Sequence, residues 1–326
     1  MNEEYENALN YCREVLSEVS RSFALTIPMM DEELRDPVTV IYLQDRLLDN
    51  FEDELPDLET ERRSELMDKV VRIFEPDQKS RPEEIEEIRD WAEEFEDASL
   101  QKFTKNVDTL WRAYRSLCPE VRKISFPWLE EMNRGMKKFL TQPVNTFADL
   151  DEYCYFVAGT VGGFLTELVL HFAPVEEESE EVLLDNYSQA GKFLQKVNIT
   201  RDIRKDVQGR NRIFWPLEEI GLSARELLSE EHSSCALEAL GSMIESAAEH
   251  VPALFDYMQA LPEDLPGYKK FYCVNNAMGL ATLDLLSGNY DVFTSSSPVK
   301  IPRWKTFLIS KFPEKYMYKL GKNYAR

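Results

Sequence analysis

Gln195-Lys196-Val197-Asn198-Ile199-Thr200-Arg201-Asp202-Ile203-Arg204-Lys205-Asp206 is the stretch on which the reading of this chain turns. Its apolar residues recur at helical spacing, and Gln195, Asn198, Asp202 and Asp206 follow one another in steps of three, four and four. On a helix those four share one stripe, with amides leading into carboxylates. A stripe this polar, beside Phe193, Leu194, Val197 and Ile199, predicts the wall of a wet pocket. A second acidic cluster stands earlier in the chain, Asp49-Asn50-Phe51-Glu52-Asp53, again with two Asp at i and i+4. Without a counter-ion such a like-charge pair costs a few tenths of a kcal/mol. Hard divalent cations want oxygen ligands, and Mg²⁺ commonly takes one or two protein carboxylates together with substrate phosphates. Two helices carrying these patches on either side of a cavity would hold a diphosphate through bridging Mg²⁺. Taken singly, either cluster also reads as an ordinary charged helix face.

Working outward, nearly the whole chain has apolar residues at three and four spacing, and strand-type alternation bounded by Asn-Gly turns is missing. The pattern predicts helices over 5–20, 35–53, 59–74, 82–96, 104–116, 122–140, 147–172, 178–208, 225–246, 249–260 and 267–288. Proline marks many of the breaks, at Pro28, Pro37, Pro56, Pro76, Pro119, Pro143, Pro174, Pro216, Pro262 and Pro266. No repeat, low-complexity linker or shift of composition marks a boundary, so the expectation is one all-α domain over residues 1–326. The acid-rich stretches 75–98 and 175–181 read as a solvated loop and helix ends.

The chain has 326 residues, 43% of them hydrophobic, enough for a large core. Its 38 basic and 60 acidic residues give a net charge of −22. Nucleic-acid binders usually show a basic face, so a nucleic acid is not expected as a partner on charge grounds. Cys12, Cys118, Cys154, Cys235 and Cys273 are odd in number and lack CxxC spacing, and they read as reduced, buried thiols of a cytosolic protein. The start, Asn2-Glu3-Glu4, lacks a signal-peptide pattern, and no run reaches ~18 uninterrupted apolar residues.

The end of the chain has the opposite charge. Residues 300–326 hold eight basic residues (Lys300, Arg303, Lys305, Lys311, Lys315, Lys319, Lys322, Arg326) and one acid, Glu314, for +7. Residues 1–299 therefore sum to −22 − 7 = −29. Trp304, Phe307, Phe312, Tyr316, Tyr318 and Tyr324 are interleaved with those charges. Such a segment either lies on an anionic membrane surface or packs back onto the acidic body as a final helix.

Two further features bear on chemistry. Arg46 stands one helical turn before Asp49, where its planar, permanently charged fork can pair with the carboxylates or reach a phosphate. Between the acidic clusters runs Tyr153-Cys154-Tyr155-Phe156-Val157-Ala158-Gly159-Thr160-Val161-Gly162-Gly163-Phe164. Glycine costs about 1 kcal/mol relative to alanine inside a helix. Gly159, Gly162 and Gly163 therefore make room either for a bulky apolar ligand or for a close helix crossing.

These segments resemble the squalene and phytoene synthase family, in order, from about residue 20 to residue 305. Ser20-Arg21-Ser22-Phe23-Ala24 resembles the family's N-terminal run, and Tyr42 to Asp53 its first aspartate-rich motif, in the Asp-x-x-Glu-Asp form of the reducing branch. Tyr153 to Gly162 resembles its Tyr-Cys-x-x-Val-Ala-Gly-x-Val-Gly segment. Gln195 to Asp206, with Gln208-Gly209-Arg210 and Phe214-Trp215-Pro216, resembles the second motif and its flap.

The resemblance implies a single-domain isoprenoid-synthase helical bundle with a central cavity. It also implies head-to-head condensation of two farnesyl diphosphates to presqualene diphosphate, followed by NADPH-dependent reductive rearrangement to squalene. Its alternatives are dehydrosqualene or phytoene synthesis without reduction, or an inactive family member acting in assembly. By resemblance, Asp49, Glu52, Asp53, Asp202 and Asp206 bind Mg²⁺ (or Mn²⁺) and the diphosphates, with the four aspartates counted as catalytic. Tyr153 assists the first half-reaction as proton acceptor or cation stabiliser. Ser20, Arg21, Tyr42, Arg46, Gln195, Asn198 and Phe271 contact substrate, Phe271 in the hydrocarbon pocket. Arg21, Arg46, Asn198, Arg201, Lys300 and Arg303 serve the nicotinamide cofactor.

Two positions depart from the family pattern. Lys205 stands where the second motif often has Glu, and Pro302 stands where the Val-Lys-Ile-Arg run has Arg, displacing Arg303 by one. The implied location is the cytoplasm, with the tail as a contact to a membrane, and no obligate protein partner is expected.

Overall fold

The stripe Leu34, Val38, Ile41, Leu47, Leu48 and Phe51 is buried along one side of a helix that runs Glu32–Asp53, and the same logic recurs along the chain. The computed structural model describes residues 3–55, 57–77, 80–210 and 212–324, with backbone alone at 21, 209 and 210. Among the described residues there is no strand. The fold is all-α, as the periodicity predicts.

The residues group into two compact units, Met1–Thr141 with Glu167–Phe172, and Gln142–Thr166 with Ala173–Arg326. The first contains α1 (Glu3–Val19), α2 (Arg21–Thr26), α3 (Glu32–Asp53), α4 (Thr60–Ile73), α5 (Pro82–Asp90), α6 (Ala98–Lys105), α7 (Val107–Ser116) and α8 (Pro119–Thr141). The second begins with α9 (Phe147–Cys154) and α10 (Thr160–Phe172), whose last six residues belong to the first unit. It continues with α11 (Glu177–Asn186), α12 (Gln189–Lys205), α13 (Leu217–Ile220), α14 (Ala224–Leu227), α15 (Ser233–Ala248) and α16 (Val251–Ala260). The remaining helices are α17 (Pro266–Leu286), α18 (Asp291–Thr294), α19 (Arg303–Lys311) and α20 (Pro313–Gly321).

Several predicted boundaries shift for physical reasons. Pro37 lies inside α3 rather than at its start, because in the second turn it forfeits only one backbone bond while Leu34 and Val38 anchor the turn on either side. The segment predicted as one helix over 178–208 is broken at Tyr187–Ser188 and ends in a π turn over Asp206–Arg210. The stretch over 147–172 is interrupted by a π turn at Tyr155–Gly159. The acid-rich 75–98 region is more ordered than a solvated loop. Ile85 and Ile88 of α5 are buried, and Glu84 and Glu87 pair with Arg72 and Lys69 of α4. Of the five free thiols, Cys12, Cys154 and Cys273 are buried as expected, whereas Cys118 and Cys235 are exposed next to helix starts.

The helical run Phe147–Phe172 is long and apolar enough to cross a membrane by length and composition alone. Thr146 opens it with a reciprocal capping box to Asp149. Of its most apolar window, 56% is buried against the rest of the protein, which marks it as a core helix.

The glycines of this run resolve the choice left open by the sequence in favour of close helix crossing. A Cβ on Gly162 would lie 2.1 Å from the carbonyl oxygen of Tyr187, and one on Gly191 of α12 would lie 2.1 Å from that of Ala158. Backbone therefore touches backbone where α12 crosses this helix.

Candidate active site

Each acidic motif has its own setting, one on α3 and the other on α12. On α3, Tyr42, Asp45, Arg46, Asp49 and Asp53 are all partly accessible and follow one helical stripe, while the apolar residues between them are buried. Arg46 forms an ion pair with Asp49 one turn along. Burial works against the Arg46 charge, Asp49 favours it, and the net effect raises its pKa. The Tyr42 ring lies 4.8 Å from that of Phe23 on α2. Burial raises the Tyr42 hydroxyl pKa against the opposing hydrogen bond from Ser20, whose side chain also caps α2 by accepting from the Phe23 N–H. Ser20, Tyr42, Arg46 and Asp49 are thus brought together in the first unit. Glu52 is fully buried, and Arg63 donates to its backbone carbonyl at 3.2 Å. The side chain of Arg21 lies outside the described residues.

Asp45 is a member of this stripe that sequence reasoning passed over. Its pKa is raised well above the ordinary carboxylate value, by burial first and by the neighbouring Asp49 charge second. The i,i+4 spacing of Asp45 and Asp49 was available to find it, one turn before the pair that was singled out.

On α12 the predicted stripe is present: Asn198 is exposed, Gln195 and Asp202 are partly exposed, and Phe193, Val197, Ile199 and Ile203 are buried. Asp206, at the helix end, is only 4% exposed. Arg201 donates through Nε to Asp202 at 2.8 Å, and the two form an ion pair. The arrangement repeats that of Arg46 and Asp49, an arginine held by the carboxylate beside it.

A cleft of about 340 Å³ opens beside this end of α12. Arg201, Asp202, Arg204, Lys205 and Gln208 line one side, and Asp291, Val292 and 295–299 line the other. Arg204 holds the cleft's edge by donating to the Phe293 carbonyl at 2.7 Å. Lys205, the residue that departs from the family pattern, is exposed at this cleft. Lys300 and Arg303 are exposed and not among its lining residues.

Tyr153 is 3% exposed and stacks on Phe214, with ring centroids 4.3 Å apart and planes 17° from parallel. The Arg212 guanidinium lies 4.8 Å from the Phe214 centroid and 6.0 Å from that of Tyr153. This cation over two stacked rings was not legible in advance, since nothing in the spacing ties residue 212 to residue 153. Trp215 fixes the strand of chain that carries it, donating from Nε1 to the Ile199 carbonyl of α12 at 3.1 Å. Phe271, on α17, is buried 6.1 Å from the ring of Tyr268.

Beneath the stripe, α12 is bolted to its unit by a partly buried ion network. Asp151 of α9 takes Lys192 at 2.7 Å, Lys196 at 3.0 Å and His250 Nε2 at 3.3 Å. Lys196 is 2% exposed and also donates to Ser246 Oγ at 3.0 Å. Burial pushes the Asp151 pKa up, but hydrogen bonds from His250, Lys192 and Lys196 outweigh it and hold the carboxyl well below its usual range.

The donor chemistry suits a hard divalent cation. Asp49, Asp53, Asp202 and Asp206 offer only carboxylate oxygen, and the Asp45 carboxyl already bears the cost of an adjacent like charge. Among the described residues no three such side chains converge closely enough to cage an ion by themselves.

The sequence model of the squalene/phytoene synthase family matches residues 16–305. This chain belongs to the squalene/phytoene synthase family. It is 31% identical over 294 residues to squalene synthase 1 of Arabidopsis thaliana, covering 87% of this chain and 66% of that protein. It is 30% identical over 300 residues to the squalene synthase of Homo sapiens, covering 90% and 67%. The chain thus spans about two-thirds of the length of these relatives. Among solved structures, TcSQS in complex with the ligand E5700 superposes with a TM-score of 0.85 at 30% identity, covering 97% of this chain and 90% of that one. A dehydrosqualene synthase in complex with ligand shares the fold, with a TM-score of 0.64 at 18% identity.

Proposed function

We propose that this family member joins two farnesyl diphosphates head to head to presqualene diphosphate and reduces that product to squalene with NADPH. The observation that carries the reading is the repeated pairing of arginine with aspartate, Arg46 with Asp49 and Arg201 with Asp202, inside the family-matched span. Each pair is a carboxylate suited to a divalent cation beside a guanidinium suited to a phosphate.

Asp49 and Asp53 on α3, and Asp202 and Asp206 on α12, would hold Mg²⁺, which when bound supplies charge to stabilise the departing diphosphate. Glu52 is assigned to the same ion by resemblance. Arg46 and Arg201 neutralise the leaving diphosphate. Ser20, Tyr42, Gln195 and Asn198 are assigned to the substrate by resemblance. Tyr153 is assigned by resemblance to the first half-reaction, as acceptor of the proton lost as the cyclopropane closes or as stabiliser of the carbocation, and its ring is held by stacking on Phe214.

The support for reduction is the cleft at the C-terminal end of α12, where the cations Arg201, Arg204 and Lys205 outnumber the carboxylates Asp202 and Asp291 and face a serine-rich turn whose hydroxyls can meet cofactor phosphates. When bound, NADPH supplies the hydride. Lys300 and Arg303, outside the cleft lining, are proposed as outer contacts to the same phosphates.

Incubation with farnesyl diphosphate and Mg²⁺, with and without NADPH, and mass analysis of the lipid extract test both halves. Squalene that depends on NADPH is the expected result. Dehydrosqualene regardless of NADPH would remove the reductive half, and no C30 product at all would remove the proposal.

A further inference from the structure

The C-terminal helices carry an apolar surface that the reaction does not use. Six large apolar side chains are exposed among the described residues, and four of them are Trp304 (64%), Phe307 (66%), Phe312 and Tyr318. The other two, Leu25 and Leu184, stand singly elsewhere. On α19, Trp304, Phe307 and Lys311 follow at three and four spacing along the outer face, while Ile309 on the opposite face is fully buried.

The mount of this face is firm. Met317, Leu320 and Gly321 of α20 are buried, Tyr318 stacks on Phe255 of α16 at 5.3 Å, and Tyr324 donates to Asp284 of α17 at 2.9 Å. Cations flank the rings: Lys311 and Lys315 lie 5.4 and 5.9 Å from the Phe312 centroid. The segment carries +7 while the remainder of the chain carries −29.

We infer that the outer face of α19, with Phe312, docks on an anionic lipid surface, its rings entering the headgroup region and its lysines meeting the phosphates. Trp and Phe between lysines suit an interface that is apolar below and charged above. A second copy of this chain fits less well. Its acidic body would meet the lysines but offers the rings only the isolated Leu25 and Leu184, and its own tail would set +7 against +7. A bilayer meets both requirements at once. The inference stands apart from the proposed reaction, and its test uses no reactant.

Full-length protein should co-sediment with vesicles of phosphatidylglycerol and phosphatidylcholine, and not with pure phosphatidylcholine. Trp304→Ser with Phe307→Ser should weaken binding by about tenfold or more, with unchanged circular dichroism, since both side chains are exposed. Lys311→Gln with Lys315→Gln should also weaken it, roughly tenfold, by removing two charges from the anionic surface. Unchanged binding of the aromatic variant would reduce the contact to charge adsorption and overturn the inference. So would a dimer in sedimentation velocity that the aromatic variant dissolves, together with no vesicle binding.

Discussion

Asp49 and Asp202 each stand beside an arginine at a partly accessible surface, so replacing either carboxylate by its amide removes a charge without opening a cavity. Asp49→Asn and Asp202→Asn should each lower turnover of farnesyl diphosphate by about a thousandfold or more, a loss of ~4 kcal/mol of transition-state stabilisation. Their melting temperatures should stay close to that of the unmodified protein, and wild-type rates in either variant would remove the metal assignment. Tyr153 calls for a different comparison. Tyr153→Phe keeps the ring stacked on Phe214 and deletes only the hydroxyl, so it should slow formation of presqualene diphosphate far more than its conversion to squalene. Equal losses from supplied presqualene diphosphate and from farnesyl diphosphate would make Tyr153 a packing residue. At this scale the sequence showed the stripes because a helix enforces i,i+4 neighbours. It could not show Arg212 over the Tyr153–Phe214 stack, whose partners meet only after a loop has been placed by Trp215.

The helix α12 is where packing and ionic contacts do most to position a site. Asp151→Asn would leave Lys196, 2% exposed, facing a neutral amide. Breaking a buried pair costs about 3–5 kcal/mol, and the one-third exposure of Asp151 screens this to about 2–3 kcal/mol. Because the native carboxyl titrates below its unfolded value, its contribution is complete above about pH 4 and is lost as the pH falls through the folded-state value. Urea melts at pH 7 and near pH 3 should therefore show the variant losing less stability on acidification than the unmodified protein. On the other side of α12, Gly191→Ala would drive a Cβ to 2.1 Å from the Ala158 carbonyl, which backbone cannot yield without moving the helix. It should cost about 1–3 kcal/mol by thermal or urea melting, and an unchanged midpoint would contradict the crossing. The long helices were readable from period, whereas the short α2, α6, α13 and α18 and the C-terminal α19 and α20 fall outside the predicted spans or only overlap their edges. The breaks at Tyr187–Ser188 and Tyr155–Gly159 were not readable, because no proline marks them, and Asn186, Ser188 and Gly159 are residues that a helical run also tolerates.

For the whole molecule the dominating quantity is charge. A net −22 concentrated outside the tail repels itself, and the Debye length falls from about 10 Å at 0.1 M salt to about 3 Å at 1 M. The exposed ion pairs that salt also weakens, such as Lys102 with Glu18, contribute little individually. The melting temperature should therefore rise by about 5 °C between about 0.1 and 1 M NaCl, and a flat or falling curve would show that specific pairs outweigh the general repulsion. The family and the all-α class were legible from ordered motifs and periodicity. The grouping of the helices into two units was not, since no change of composition accompanies it.

The π turn at Tyr155–Gly159 has a consequence for how this helix tolerates insertions and deletions. Tyr153 and Gly162 are nine positions apart, which at about 100° per residue would set them on opposite sides of an uninterrupted α-helix. A π turn absorbs one surplus residue, so the pair is separated as if by eight, or roughly 80°. One continuous rod can then offer its tyrosine to Phe214 and its glycine to Tyr187. Excising a single residue within 155–159 should relax the turn to ordinary α-helix and leave the flanking faces aligned. Excising one residue further along, at Leu165, should swing everything beyond it by about 100° and part Thr166 from Tyr257, now 2.8 Å away.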